Sequence, residues 1–132
     1  MSTDALVRAA TAIRARGYAP YSKFLVGTAI RAGDGAIFVG CNVENAAYPQ
    51  GVCAEAGAIS AMVAAGQTRI AEVVVSGPGP MACTPCGGCR QKLREFAGPT
   101  TVVTMVDADG VVVISRTLQE LLPDSFGPEH LG

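Results

Sequence analysis

The chain has 132 residues, 49% of them hydrophobic and 16% charged, with a formal net charge of -1. That size suits one ordinary domain, residues 1–132, with a core that needs no disulfide staples, and the near-neutral balance argues against counterion-driven binding to a nucleic-acid polymer. No apolar run approaches the roughly 20 residues of a membrane span, and Met1-Ser2-Thr3-Asp4 lacks the basic and apolar regions of an export signal, so a soluble cytoplasmic protein is expected.

In chain order, Leu6, Ala9, Ala10 and Ile13 share one helical face, which predicts a first helix from Asp4 to Arg16, capped near Ser2 to Asp4 and stopped by Gly17. Phe24 to Arg31 and Ala36 to Cys41 read as strands joined through Asp34-Gly35, a hairpin signal. The alanine-rich run Cys53 to Ala65 predicts a second helix ending at Gly66, and Ile70 to Ser76 a buried strand. After a loop from Gly77 to Pro85, Cys86 to Phe96 reads as a third helix with Gly98-Pro99 as its terminator. Thr100 to Val106 and Val111 to Ile114 read as β-branched strands around Asp109-Gly110, and Leu118 to Leu122 as a short helical turn before the tail. Helices alternating with five strands predict an α/β fold, a layered α/β/α domain.

Five cysteines, Cys41, Cys53, Cys83, Cys86 and Cys89, in a chain without an export signal argue for metal or redox chemistry over a disulfide framework. The only histidine, His130, lies in a Gly-Pro-containing tail, so a metal here is expected on sulfur. Pro85-Cys86-Gly87-Gly88-Cys89 places two thiols at the opening of a helix, a spacing that serves a redox pair, half of a structural zinc site or a catalytic one. Cys53-Ala54-Glu55 opens another helix and decides among them. Cys53 supplies a third sulfur, and three sulfurs leave a tetrahedral zinc one open position. Glu55, which alone would read as a first-turn acid suited to the helix dipole, then becomes the candidate proton carrier. Cys41 and Cys83 read as non-ligands, Cys41 as a small core residue.

Cys-Ala-Glu followed by Pro-Cys-x-x-Cys resembles the cytidine deaminase family, within the wider class of zinc deaminases. The resemblance extends from Tyr18-Ala19-Pro20-Tyr21-Ser22-Lys23-Phe24-Leu25-Val26-Gly27 through Asn42-Val43-Glu44-Asn45 to Leu121-Leu122-Pro123-Asp124-Ser125-Phe126. It implies the small homotetrameric form, a three-layer α/β/α sandwich with a five-stranded mixed sheet, holding one Zn2+ per subunit on Cys53, Cys86 and Cys89. It further implies hydrolytic deamination of cytidine and 2'-deoxycytidine in pyrimidine salvage. Water activated at the metal would attack C4 of the cytosine, and Glu55 would protonate N3 and the departing amine. Asn42 and Glu44 correspond to residues that bond the ribose hydroxyls, Phe24 to an aromatic that packs on the pyrimidine, and Ala54 to backbone that reads the base edge. Ala46, Tyr48 and Phe126 correspond to contributions from neighbouring subunits to a shared pocket.

Many small family members carry Arg directly after the catalytic Glu, where this chain has Ala56. Zinc with three thiolates carries a net charge of -1, so two helix N-termini and Arg90, or another cation, are the candidates for the offset. Three other readings remain. A blasticidin-type aminonucleoside deaminase would use the same metal apparatus on a larger substrate. A non-catalytic zinc scaffold would close the site with Cys41 or Cys83. A polynucleotide editor is disfavoured by the absence of a basic, aromatic-interleaved stretch.

Overall fold

A computed structural model describes residues 2–132. Helix α1, Thr3–Arg14, starts where the Ser2 hydroxyl accepts the Asp4 N–H at 3.0 Å, and it buries Leu6 and Ala10 one turn apart. Strands β1, Gly27–Ala32, and β2, Ile37–Cys41, form an antiparallel hairpin whose turn puts Gly35 at φ 93°, a conformation that favours glycine. Helix α2, Ala54–Ala64, and strand β3, Ile70–Ser76, follow. Helix α3, Gly87–Phe96, then leads directly into β4, Ala97–Val106. Strand β5, Val112–Thr117, and the short α4, Leu118–Leu121, come last. Single 3-10 turns lie at Tyr48–Gln50 and Pro128–Leu131.

The sheet runs β2-β1-β3-β4-β5, and only the β3–β4 pair is parallel, because α3 carries the chain back across the sheet between them. Alternation along β1 and β3 sorts the core into two faces. Ala29 and Val74 pack with Leu6 and Ala10 of α1, while Ile30, Val73 and Val75 pack with Ala58 and Met62 of α2, Leu93 of α3 and Leu118 of α4. The result is the expected three-layer α/β/α arrangement around a five-stranded mixed sheet.

Two glycines set how closely the helices approach. A Cβ on Gly27 would lie 2.3 Å from the Ala10 carbonyl of α1, and one on Gly40 would lie 2.3 Å from the Ala54 carbonyl and 2.4 Å from the Ala58 nitrogen of α2. Gly40 therefore lets the first turn of α2 rest against β2, and that turn carries Glu55.

The largest differences from the expected element boundaries fall in three strands; the helices differ by one or two residues at their ends, α1 closing at Arg14 rather than Arg16. Strand β1 begins at Gly27 rather than Phe24, since the Val26 N–H and the Phe24 carbonyl are taken by the Asn42 side chain at 2.9 and 2.7 Å instead of by a neighbouring strand. Strand β4 begins at Ala97, three residues before Thr100, because a register shift between Ile70 and Glu72 of its partner accommodates Gly98-Pro99. Strand β5 covers Val112–Thr117 rather than Val111 to Ile114. Among the described residues no helix is long and apolar enough to cross a membrane.

Candidate active site

Cys53 and Cys86 are the N-caps of α2 and α3, in extended backbone conformation, so each thiol sits where unpaired helix N–H groups favour negative charge. Cys89 lies one turn into α3 and is fully buried. The two helix starts converge at one end of the sheet, and the sulfurs of Cys53, Cys86 and Cys89 all lie within 4.8 Å of one another. Three sulfurs at about 2.3 Å from a tetrahedral zinc would stand roughly 3.8 Å apart, so the donor set fits that ion. Among the described residues no further His, Cys, Asp or Glu joins the cluster, Cys41 and Cys83 included. A zinc held here would keep one position open.

The thiols differ in ease of ionisation. The Cys89 backbone N–H donates to Cys86 and lowers it, whereas burial raises Cys53 and raises Cys89 more strongly, with the charges of Glu55 and neighbouring cysteines adding to the effect. A dication among them opposes that penalty, since a coordinating thiol is deprotonated outright.

Glu55 is 4% exposed. Burial holds its carboxyl above the usual range, against the lowering effects of its own backbone N–H and of the Lys92 charge. It faces, with Val26, Asn42, Ala54 and the three cysteines, a cavity of about 170 Å³. Cys83 and Thr84 also line this cavity, and burial, then the nearby Glu55 charge, pushes the Cys83 thiol up to about 11. The sequence reads Cys83 as a non-ligand in a loop without a partnering acid, and it stands outside the sulfur cluster while lining the same cavity. Its position three residues before Cys86 was the available signal, because a loop entering a site must line it.

Asn42 braces the entrance by bonding Phe24 and Val26, while Phe24 itself is 46% exposed rather than part of the core. Glu44 accepts from the Tyr21 and Ser22 backbone N–H groups at 3.0 and 3.1 Å and from the Ser22 hydroxyl. Those bonds, the hydroxyl's first, hold its carboxyl below the usual range. Glu44 faces a second cavity of about 340 Å³ with Tyr21, Ser22 and Tyr48. Ala46 is exposed, and Phe126 lies in the tail beside α3, where the Gln91 amide donates to its carbonyl at 2.9 Å. Arg90 spends Nε and Nη1 on the carbonyls of Pro85 and Leu121 at 2.7 and 2.6 Å, which ties the residue before Cys86 to α4.

A three-layer α/β/α domain that brings three thiols and a buried carboxylic acid to two helix N-termini defines a candidate zinc-dependent hydrolase. Residues 1–106 match the family described as the cytidine and deoxycytidylate deaminase zinc-binding region. The chain is 38% identical to a cytidine deaminase of Sporosarcina psychrophila over 133 aligned positions, covering 99% of this chain and 96% of that protein. It is 40% identical to one of Mycobacterium tuberculosis, covering 92% and 87%. The crystal structure of a cytidine deaminase from Burkholderia pseudomallei superposes with a TM-score of 0.89 at 42% identity, covering 96% of this chain and all of that one. The chain belongs to the cytidine deaminase family.

Proposed function

We propose that this protein hydrolyses cytidine and 2'-deoxycytidine to uridine and 2'-deoxyuridine with release of ammonia. The observation that carries the reading is the convergence of the Cys53, Cys86 and Cys89 sulfurs beside buried Glu55 in one cavity. Zinc, when bound, lowers the pKa of a water in its open position toward neutrality. Glu55 takes up the proton that this water loses. It passes that proton to N3 as the water oxygen bonds C4, then moves the second proton from the resulting 4-hydroxyl to the amine, so that the C4–N bond breaks, ammonia leaves and a 4-oxo ring protonated at N3 remains. Burial of Glu55 keeps bulk water from competing for the proton.

Ala54 contributes backbone at the base edge, and exposed Phe24 supplies a face for the ring. Asn42 and Glu44 are our candidates for the ribose hydroxyls. Each is already oriented by backbone bonds and keeps hydrogen-bonding capacity beyond them.

The cavity at the sulfurs, at about 170 Å³, is smaller than the roughly 300 Å³ at which ligand pockets begin. That volume supports completion of the pocket by another copy, and we read the assembly, from the family resemblance, as a homotetramer in which Ala46, Tyr48 and Phe126 of neighbouring copies complete each pocket. We read residues 1–132 as a single cytoplasmic domain working in pyrimidine salvage.

The test is zinc-loaded protein incubated with cytidine, ammonia and product mass being followed together. Wild type should yield uridine, and Glu55→Gln should lose about 10²- to 10⁴-fold in kcat while retaining zinc. Metal-loaded wild type that leaves cytidine intact but deaminates a larger aminonucleoside would replace the substrate assignment.

A further inference from the structure

The carboxy-terminal tail holds an aromatic ring in place without burying it. Phe126 is 55% exposed, yet both its backbone and its ring are secured. Arg94 of α3 donates from Nε to the Ser125 hydroxyl at 2.9 Å and pairs through Nη2 with Glu129, so a single guanidinium grips the chain on either side of Phe126. Its plane passes directly over Gly127, where a Cβ would lie 2.3 to 2.7 Å from Nη2, Cζ and Nη1. The Phe126 ring stacks on His130 with centroids 4.8 Å apart and planes 17° from parallel. His130 is itself fixed, because its Nδ1 accepts the Gly127 N–H at 3.0 Å.

Ordering a tail costs backbone entropy at every residue, and an exposed side chain recovers little of it by burial. The chain meets this cost with a bifunctional arginine, a glycine that admits it and a stacked imidazole. The common effect of all three is to fix the direction of one exposed ring.

We infer that Arg94, together with Gly127 and His130, is a clamp that presents Phe126 to the substrate pocket of a neighbouring copy, which makes Arg94 a positioning residue for nucleoside binding. The inference rests on the proposed contribution of Phe126 to a shared pocket. Arg94 touches no substrate; it acts by removing the freedom of residues 125–129. Loss of the clamp therefore raises KM and leaves kcat near its wild-type value, because Arg94 reaches the tail from the last turn of α3, whereas Cys86 and Cys89 stand at the start of that helix and Glu55 on α2.

The experiment compares Phe126→Ala, Arg94→Ala, Arg94→Lys and Gly127→Ala in the zinc-loaded, assembled protein. It reads KM and kcat for cytidine, the oligomer's mass and amide exchange of the tail. Phe126→Ala should raise KM about three- to tenfold, the range expected for one lost aromatic contact. Arg94→Ala and Gly127→Ala should each reproduce most of that rise with faster exchange over residues 125–131 and unchanged mass. Arg94→Lys, which keeps the charge but cannot grip both partners, should fall between. A KM that rises in Phe126→Ala while Arg94→Ala and Gly127→Ala match wild type would overturn the clamp and leave the shared pocket standing. Unchanged KM in Phe126→Ala would remove Phe126 from the pocket and the clamp's role with it.

Discussion

Thr28 is fully buried in β1, opposite Gly40 and Val75, and its hydroxyl finds no partner among the described residues. Alternation puts it on the α2 side of the sheet, on the same face as Ile30. A buried hydroxyl without a partner costs about 1–3 kcal/mol, whereas a methyl of the same shape costs nothing to desolvate. Thr28→Val should therefore stabilise the protein by about 1 kcal/mol, read as a higher urea midpoint with unchanged slope. Its kcat should not change, since Thr28 does not line the cavity. A lower midpoint would mean that the hydroxyl is bonded, with a buried water as the candidate. Residues of the site follow the opposite rule. Glu55 is buried and kept protonatable by its surroundings, Glu44 is held ionised by three hydrogen bonds, and the two carboxylic acids are thereby suited to different work.

At the scale of elements, the position of α2 depends on the missing side chain at Gly40. A methyl there meets backbone, not a flexible side chain, so α2 must move away from β2 and take Cys53 and Glu55 with it. Gly27 makes the same kind of contact with α1 on the opposite face of the sheet, and α1 carries none of the three sulfurs. Each substitution to alanine should cost about 1–3 kcal/mol, but only Gly40→Ala should also weaken zinc retention against a chromophoric chelator. Equal zinc retention in the two variants would mean that α2 tolerates the shift without disturbing the site.

The helices and the zinc motif were legible in the sequence because their signals are local. Ser2 caps α1, Gly66 ends α2, and both Cys53 and Cys86 stand at helix starts where short-range pattern puts them. The strand boundaries depend on partners distant in the chain. Phe24 to Val26 is as β-prone as β1 but bonds the Asn42 side chain, and Gly98-Pro99 breaks a helix without preventing a strand. The tail was opaque for the same reason, since nothing near Phe126 in sequence announces that Arg94, 32 positions earlier, will grip it.

For the whole molecule the question is how a nucleoside is enclosed. Tyr48 is 76% and Phe126 55% exposed, with Tyr18, Tyr21 and Phe24 also open to solvent. Of these, Tyr21 and Tyr48 line the cavity that Glu44 faces, and exposed large side chains at a cavity are characteristic of surfaces covered by another protein. A second copy is the simplest cover, and symmetry would give every copy the same completed pocket. Such sharing has a consequence that a self-contained site lacks. In an assembly, a subunit carrying Glu55→Gln still offers its Phe126 and Tyr48 to others, and one carrying Phe126→Ala with Tyr48→Ala still offers its Glu55. Unfolding the two variants together and refolding them with zinc should yield hybrids in which some sites combine an intact Glu55 with intact neighbouring aromatics. Cytidine turnover at low substrate concentration should then exceed the sum of the two variants refolded separately, and light scattering should report four chains per particle. Activity equal to that sum, in hybrids verified by mass, would show that each chain encloses its substrate alone.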